Sequence, residues 1–251
     1  MELAQLTWPD AREALRRVRL ALLPVGAIEQ HGPHLPLGTD WYIASHIARE
    51  VAETDDRLLL PGIQVGVSEE HGQFWGTLTV SPEALRGQAM AVARSLASHG
   101  LKRIVFVNGH GSNGAPLDEA ARRLRAENVF AFVFNWWQSV GSTLAELFPD
   151  PTAHAGSIET SAMLVVRPEL VRTERFDEAG PANRWGNFVA GVLVGSDAAD
   201  FTETGNVGDP RLADEAKGRQ LLSAACDSLR RFCGWLEERS EEELARRPHV
   251  P

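Results

Sequence analysis

The chain has 251 residues, of which 43% are hydrophobic and 24% charged, and its formal net charge is −9. That supplies a sizeable core within the range one α/β domain fills, so residues 1–251 are read as a single domain. An acidic balance without a clustered basic face argues against a nucleic-acid partner. No apolar run approaches the ~20 residues that span a bilayer. The first twenty residues lack an apolar stretch with a small-residue cleavage site, so a cytoplasmic protein without a membrane partner is expected.

Short apolar runs alternate with longer amphipathic stretches, the pattern of a three-layer α/β/α fold with a mostly parallel central sheet. Leu20–Val25 reads as a first buried strand and Thr39–Glu53 as the helix after it. Leu58–Pro61 and Ile63–Val67 are short strand candidates. Pro82–Ser98 has helical periodicity and closes on His99-Gly100, a C-cap signal. Ile104–Val107 is the clearest strand, followed by a helix at Ala115–Glu127 and a strand at Val129–Phe134. In His154–Val166 the apolar spacing predicts a helix whose first turn holds Ser157 and Glu159. Gly180–Pro210 is a long glycine-rich segment with one apolar patch, Phe188–Val194, of the kind that serves function or oligomer contacts. Asp209–Leu236 predicts a terminal amphipathic helix carrying Cys226 and Cys233. Those two cysteines would lie roughly 10 Å apart along it, too far for a disulfide, and are expected as buried thiols.

Chemistry concentrates in three stretches. The first, PVGAIEQHGPHLPLGTD at 24–40, starts where a strand ends, the rim where parallel sheets bind ligands. Glu29 and His31 are two apart, so in extended chain they face one side. Three prolines stiffen the segment, and Asp40 opens the next helix, where its bland role would be an N-cap. The second, NGHGSN at 108–113, puts His110 at the same sheet edge between two glycines that allow close approach. The third, HAGSIETS at 154–161, sets Glu159 and Ser161 in an otherwise apolar segment. A buried carboxylate needs a counter-charge, and no Lys or Arg lies between Arg125 and Arg167, which favours a metal.

Glu29, His31, Asp40, His110 and Glu159 are therefore the candidate ligands. Their three carboxylates and one bridging hydroxide would neutralise two divalent cations. Asp40 is the natural bridge, because its two oxygens can each take one ion, and two-metal hydrolytic centres hold their ions about 3.5–4 Å apart. The oxygen-and-imidazole donor set suits zinc or manganese. The expected chemistry is metal-assisted hydrolysis by activated water. A phosphoryl hydrolase would want basic residues, which none of the three stretches contains. A non-catalytic metal-binding scaffold is the rival outside the enzyme class.

In this order the three stretches resemble the creatininase (creatinine amidohydrolase) family, as do SEEHGQFWGTLTV at 68–80 and GDPRLADEAKGRQLL at 208–222. The resemblance implies a layered α/β/α fold, a binuclear zinc or manganese centre, a small-molecule amide or short-peptide substrate, and a homo-oligomer, commonly a hexamer. It would place Glu29, Asp40 and His110 on one metal, and His31, Asp40 and Glu159 on the other. His154 matches the family histidine assigned to proton transfer. Where creatinine-hydrolysing members follow the second-motif histidine with an aromatic residue and a metal-binding glutamate, this chain has Gly111 and Ser112. That change removes an aromatic wall and argues against creatinine. Members with the glycine version include the peptidase acting on the mycofactocin precursor and a formamide hydrolase of flavin and deazaflavin synthesis. Ser112 and Trp136 are taken as substrate-binding residues. His34 and His71 lie in familial stretches, as candidates to line the pocket or orient a ligand.

Overall fold

The structure, a computed structural model, describes residues 1–54, 57–148, 154–180 and 184–247. In chain order the main elements are α1 (Trp8–Arg17), β1 (Ala21–Val25), α2 (Thr39–Thr54), β2 (Leu58–Leu59), α3 (Pro82–Ser98), β3 (Arg103–Asn108), α4 (Gly114–Ala126) and β4 (Phe130–Asn135). Then follow α5 (Gly141–Leu147), α6 (Ser157–Val166), β5 (Asn187–Val189), β6 (Val192–Gly195), α7 (Glu215–Glu238) and α8 (Glu241–Leu244).

Four strands form a parallel sheet in the order β2-β1-β3-β4. Helices cover both faces, so the strands are apolar on both sides. Along β1 the side chains alternate between two cores. Leu22 joins α2, α6 and α7 on one face, and Ala21, Leu23 and Val25 join α3 and α4 on the other. β3 repeats this, with Val105 and Val107 on the first face and Ile104 and Phe106 on the second. Each covering helix contributes a stripe at three- and four-residue spacing, such as Leu222, Cys226, Leu229, Cys233 and Leu236 in α7. Both cysteines are buried there as thiols, with no disulfide between them.

Several boundaries differ from the sequence reading, each for a local reason. α1 is an addition to the sequence reading, its apolar positions being too sparse to mark it. β2 stops at Leu59, and Ile63–Val67 contributes only the single bridge from Ile63 to Val25. Between them the register slips by one residue, from Leu60 N donating to Leu22 O to Ile63 N donating to Pro24 O, which ends the ladder. The long helix α7 starts at Glu215 rather than Asp209. Pro210–Leu212 forms a separate turn, and Asp214 caps α7 by accepting from Lys217 N at 2.8 Å. The apolar patch Phe188–Val194 folds as the antiparallel hairpin β5–β6. No helix among the described residues is long and apolar enough to cross a membrane.

The register fixes the functional edge. Val25 pairs with Asn108, and Asn108 with Asn135, so β1, β3 and β4 end level with one another. The chain leaves these ends toward Glu29, His110 and Trp136 in turn.

Candidate metal centre

Four segments converge above that edge. After β1 the chain runs extended through Glu29 and His31, held by Glu29 N donating to Leu37 O and Leu78 N donating to Ile28 O. Asp40 is the second residue of α2 and makes no cap; its carboxylate turns to the cluster instead. Gly109 has a different reason from the expected ligand approach: a Cβ there would run into the Asp40 carbonyl, so glycine lets the end of β3 pack on the start of α2. Gly111 faces open space in the cavity. α6 presents Glu159 from its first turn, and Ala155 N donates to Glu159 Oε2 at 2.5 Å.

The five expected ligands are brought together. Glu29, Asp40 and His110 place one donor atom each within 4.8 Å of one another, and so do His31, Asp40 and Glu159. Asp40 belongs to both sets. Its Oδ1 lies 3.2 Å from His31 Nε2 and its Oδ2 lies 3.2 Å from His110 Nδ1. A third set, Glu29, His31 and His154, meets the same limit. Donors bound about 2 Å from one cation sit roughly 3–3.5 Å apart, so these separations suit a metal shell.

Burial supplies an independent test of fit. Glu29 and His31 are fully buried, and Asp40, His110 and His154 nearly so. Glu29 Oε1 and Asp40 Oδ2 are buried without a hydrogen bond. Orphaned carboxylate oxygens cost several kcal/mol unless a cation meets them, by the order-of-magnitude cost of unpaired buried charge. No Lys or Arg lines the cavity among the described residues. In the metal-free protein, protons substitute for that missing charge. Burial alone would discharge His31, but Asp40, Glu159 and Glu29 outweigh it and push its pKa up to about 10. Burial opposes charge on His110 too, and Glu29, Asp40 and Glu70 hold its pKa well above 6.5. Burial raises Glu159 to about 7 despite His31 nearby. Burial also resists ionisation of Asp40, yet His31 and His110 together hold its carboxyl low.

Further side chains hold the cluster in place. His31 Nδ1 donates to Glu29 O at 3.1 Å, leaving Nε2 toward the cluster. Ser68 Oγ donates to Glu29 Oε2 at 2.7 Å. Glu70 accepts from Ser112 Oγ and lies 3.6 Å from His110 Nε2, on the far side of the ring from the Nδ1 that faces Asp40. Burial opposes ionisation of Glu70, but His110 and Ser112 lower its pKa to about 2. His34 falls outside the cluster: its Nε2 meets Thr160 Oγ1 at 2.9 Å and braces α6.

The cluster floors a cavity of about 320 Å³ whose walls include Ser112, Trp136, Trp137, Leu144, Ile158 and Trp185. Trp136 lines it while remaining almost wholly buried. Sequence reasoning missed Glu70 and Trp185. Glu70 had a faint signal, an acid beside His71 within a familial stretch. Trp185 had none, since it comes from the foot of the hairpin and packs its ring 5.3 Å from His71 and 5.6 Å from His154.

Comparisons with known proteins agree with this picture. The family model for creatinine amidohydrolase matches residues 4–233. The "Mycofactocin precursor peptide peptidase" of Mycobacterium ulcerans (strain Agy99) is 37% identical over 239 residues, 91% of this chain and 86% of that protein. The "Creatinine amidohydrolase" of Pseudomonas putida is 30% identical over 246 residues, 90% of this chain and 93% of that protein. A crystal structure of creatininase superposes with a TM-score of 0.83 at 27% identity, covering 95% of this chain and 98% of the other. Similar structures are described as "Creatininase Mn" and as "Zn-Zn type".

A parallel sheet with a carboxylate and imidazole cluster at its carboxyl edge defines an α/β protein with a candidate metal centre. The chain belongs to the creatininase family, as an amidohydrolase that uses divalent metal.

Proposed function

We propose that the chain is a two-metal amidohydrolase acting on a small-molecule or short-peptide amide. The observation that carries this reading is Asp40, whose two oxygens face His31 and His110 and join the two ligand sets. Glu29, Asp40 and His110 would hold one ion, and His31, Asp40 and Glu159 the other, with zinc or manganese as the metal. A bound ion pair supplies activated water and a Lewis acid for the amide carbonyl. The chain's own groups do the rest. Glu29, Asp40 and Glu159 balance the positive charge, and Ser68 and His71 hold Glu29 in place. His154 moves a proton to the leaving nitrogen, which would otherwise depart as a poor amide anion. Ser112 and Trp136 contact the substrate, and the tryptophan-rich walls keep bulk water out.

Within the family, a peptidase of the kind that acts on the mycofactocin precursor is favoured over a creatinine hydrolase. Its support is the higher identity, 37% against 30%, and the absence of an acid at position 112. A formamide hydrolase is the further alternative. We also propose a homo-oligomer, with a hexamer expected from the family. The exposed apolar side chains of Phe188, Val189, Val192, Leu193 and Val194 support it. The deciding experiment is an amine-release screen on zinc- and manganese-loaded protein with creatinine, formamides and short C-terminal peptides. Turnover of peptides alone supports the peptidase; silence across the panel in protein holding two metals overturns the amidohydrolase reading.

A further inference from the structure

Gln30 lies between the two residues expected to bind metal and is buried, yet nothing above gives it a role. Its side-chain oxygen accepts from Gly32 N at 3.0 Å, and its side-chain nitrogen donates to Gly205 O at 2.9 Å. A backbone N–H can only donate and a carbonyl only accept, so these two contacts fix which end of the amide is which. Gly205 is shaped for this. Its φ is +84°, and a Cβ there would fall on the Gln30 amide.

Two histidines depend on that amide. His154 Nε2 lies 2.9 Å from the Gln30 main-chain oxygen and 2.9 Å from the Gln30 amide nitrogen. The oxygen only accepts, so His154 carries its proton on Nε2 and donates it there. A protonated Nε2 cannot also accept from the amide. The second amide hydrogen therefore goes to His71 Nδ1, 2.7 Å away. His71 Nδ1 is then bare, and its protonated Nε2 lies 3.4 Å from Glu29 Oε1.

We infer that Gln30 is a positioning residue that sets the tautomers of His71 and His154. In the resting protein His154 offers the site a lone pair on Nδ1, 3.7 Å from Glu29 Oε1, and His71 offers an N–H. This rests on the amidohydrolase reading for its catalytic consequence and refines it: His154 must take a proton from water through Nδ1 before the same nitrogen can return it to the leaving amine. One proton is gained and one given, so the histidine ends each turnover as it began.

The test has an arm that needs no substrate. Protein labelled with ¹⁵N in histidine is compared by side-chain NMR, metal-free, as wild type, Gln30→Met and Gly205→Ala, with His71→Ala and His154→Ala for assignment. Wild type should show bare Nδ1 and protonated Nε2 at both rings. Gln30→Met removes the amide, and Gly205→Ala pushes it aside without touching the cavity. Both should give His71 a mixed tautomer population. In the second arm both variants, loaded with metal, should keep wild-type metal content and KM while turnover falls about 10–100-fold, the usual worth of an orienting partner. Melting temperatures identify a variant that is merely unstable, and Gly205→Ala then replaces Gln30→Met or the reverse. A bare Nε2 on His154 in wild type, or unchanged His71 tautomers in both variants, overturns the inference. Correct tautomers in a protein that cleaves no amide overturn the amidohydrolase reading alone.

Discussion

His31 Nε2 lies 3.2 Å from Asp40 Oδ1, and the same carboxylate turns its other oxygen toward His110 at the same distance. A single side chain thus joins two groups of donors that come from different strand ends. Removing it should dissolve both. Protein purified without chelator should contain two divalent ions per chain by elemental analysis. Asp40→Ala should lose both together, whereas Glu159→Ala should keep one. Retention of one ion by Asp40→Ala would remove Asp40 from the bridging position.

Proton release should accompany metal uptake. His31, with a pKa near 10, and His110, raised well above 6.5, are charged at neutral pH in the metal-free protein and must discharge to bind. Isothermal titration with zinc at pH 7.5 in buffers of different ionisation enthalpy should therefore register protons released. The same shifts set the stability of the metal-free form. Both histidines are raised on folding, so their contribution is complete below about 6.5, the unfolded value. For His31 it is lost as pH climbs through about 10. Glu159, raised to about 7, adds a loss of the same sign between the ordinary carboxylate range and neutrality. Buried His34, His71 and His154, all depressed, act with the opposite sign up to about 6.5, so metal-free protein should melt progressively lower from pH 7.5 to pH 10, and metal-loaded protein much less so. A metal-free melting temperature that rises over that interval contradicts the charge assignment.

Trp185 packs against His71 and His154 and is backed by Phe201 at 4.9 Å. An aromatic contact of this kind is worth about 0.5–1.5 kcal/mol beyond area burial, so Trp185→Ala should raise KM roughly two- to tenfold with metals retained. A fall in kcat at unchanged KM would instead make Trp185 a support for the histidines.

The exposed hairpin should be an assembly contact. Light scattering at micromolar concentration should give a mass several times 27.5 kDa, and Val192→Lys on the β6 face should shift it toward the monomer. A monomeric mass for the unmodified chain would sink the proposed oligomer.

What the sequence disclosed follows from what periodicity can encode. β1, β3, β4, α3 and α6 were legible because their apolar runs are long and bounded by glycine, proline or polar caps. α2 was legible to within a residue for the same reason. The start of α7 was misplaced because Asp214, not Asp209, wins the cap; Ser161 Oγ of α6 accepts from Asp214 N at 2.9 Å, a contact between distant segments. In the site, residues inside dense motifs were visible as a set, since polar groups among apolar ones demand an explanation. Trp185 and Gln30 were invisible for opposite reasons. Trp185 acts through a hairpin that folds back from far along the chain. Gln30 acts through an amide orientation that only Gly32 and Gly205, brought together, define.

His154 allows the sharpest separation of roles. It precedes α6, with Ala155 at φ +50°, and it pairs in a bridge with Val207. Its ring stacks 4.6 Å from His31 and 4.4 Å from His71, and its Nδ1 joins the Glu29–His31 donor set. Geometry therefore permits two roles, a third imidazole ligand or a proton carrier beside the ligands. Burial drives the pKa of His154 well below 6.5, and His31 and His71 drive it further the same way, so in the metal-free protein this ring is already neutral where His31 and His110 are charged. If it carries protons, His154→Ala should keep two ions per chain and lose about 10²–10⁴-fold in turnover, the range for a general acid or base. His110→Ala should lose metal and activity together. If His154 only braces the start of α6, its loss should lower the melting temperature and leave turnover of the folded fraction nearly intact. Metal content, melting temperature and kcat measured on the same preparations separate these outcomes. Metal loss in His154→Ala equal to that in His110→Ala would make it a ligand and end the five-ligand scheme.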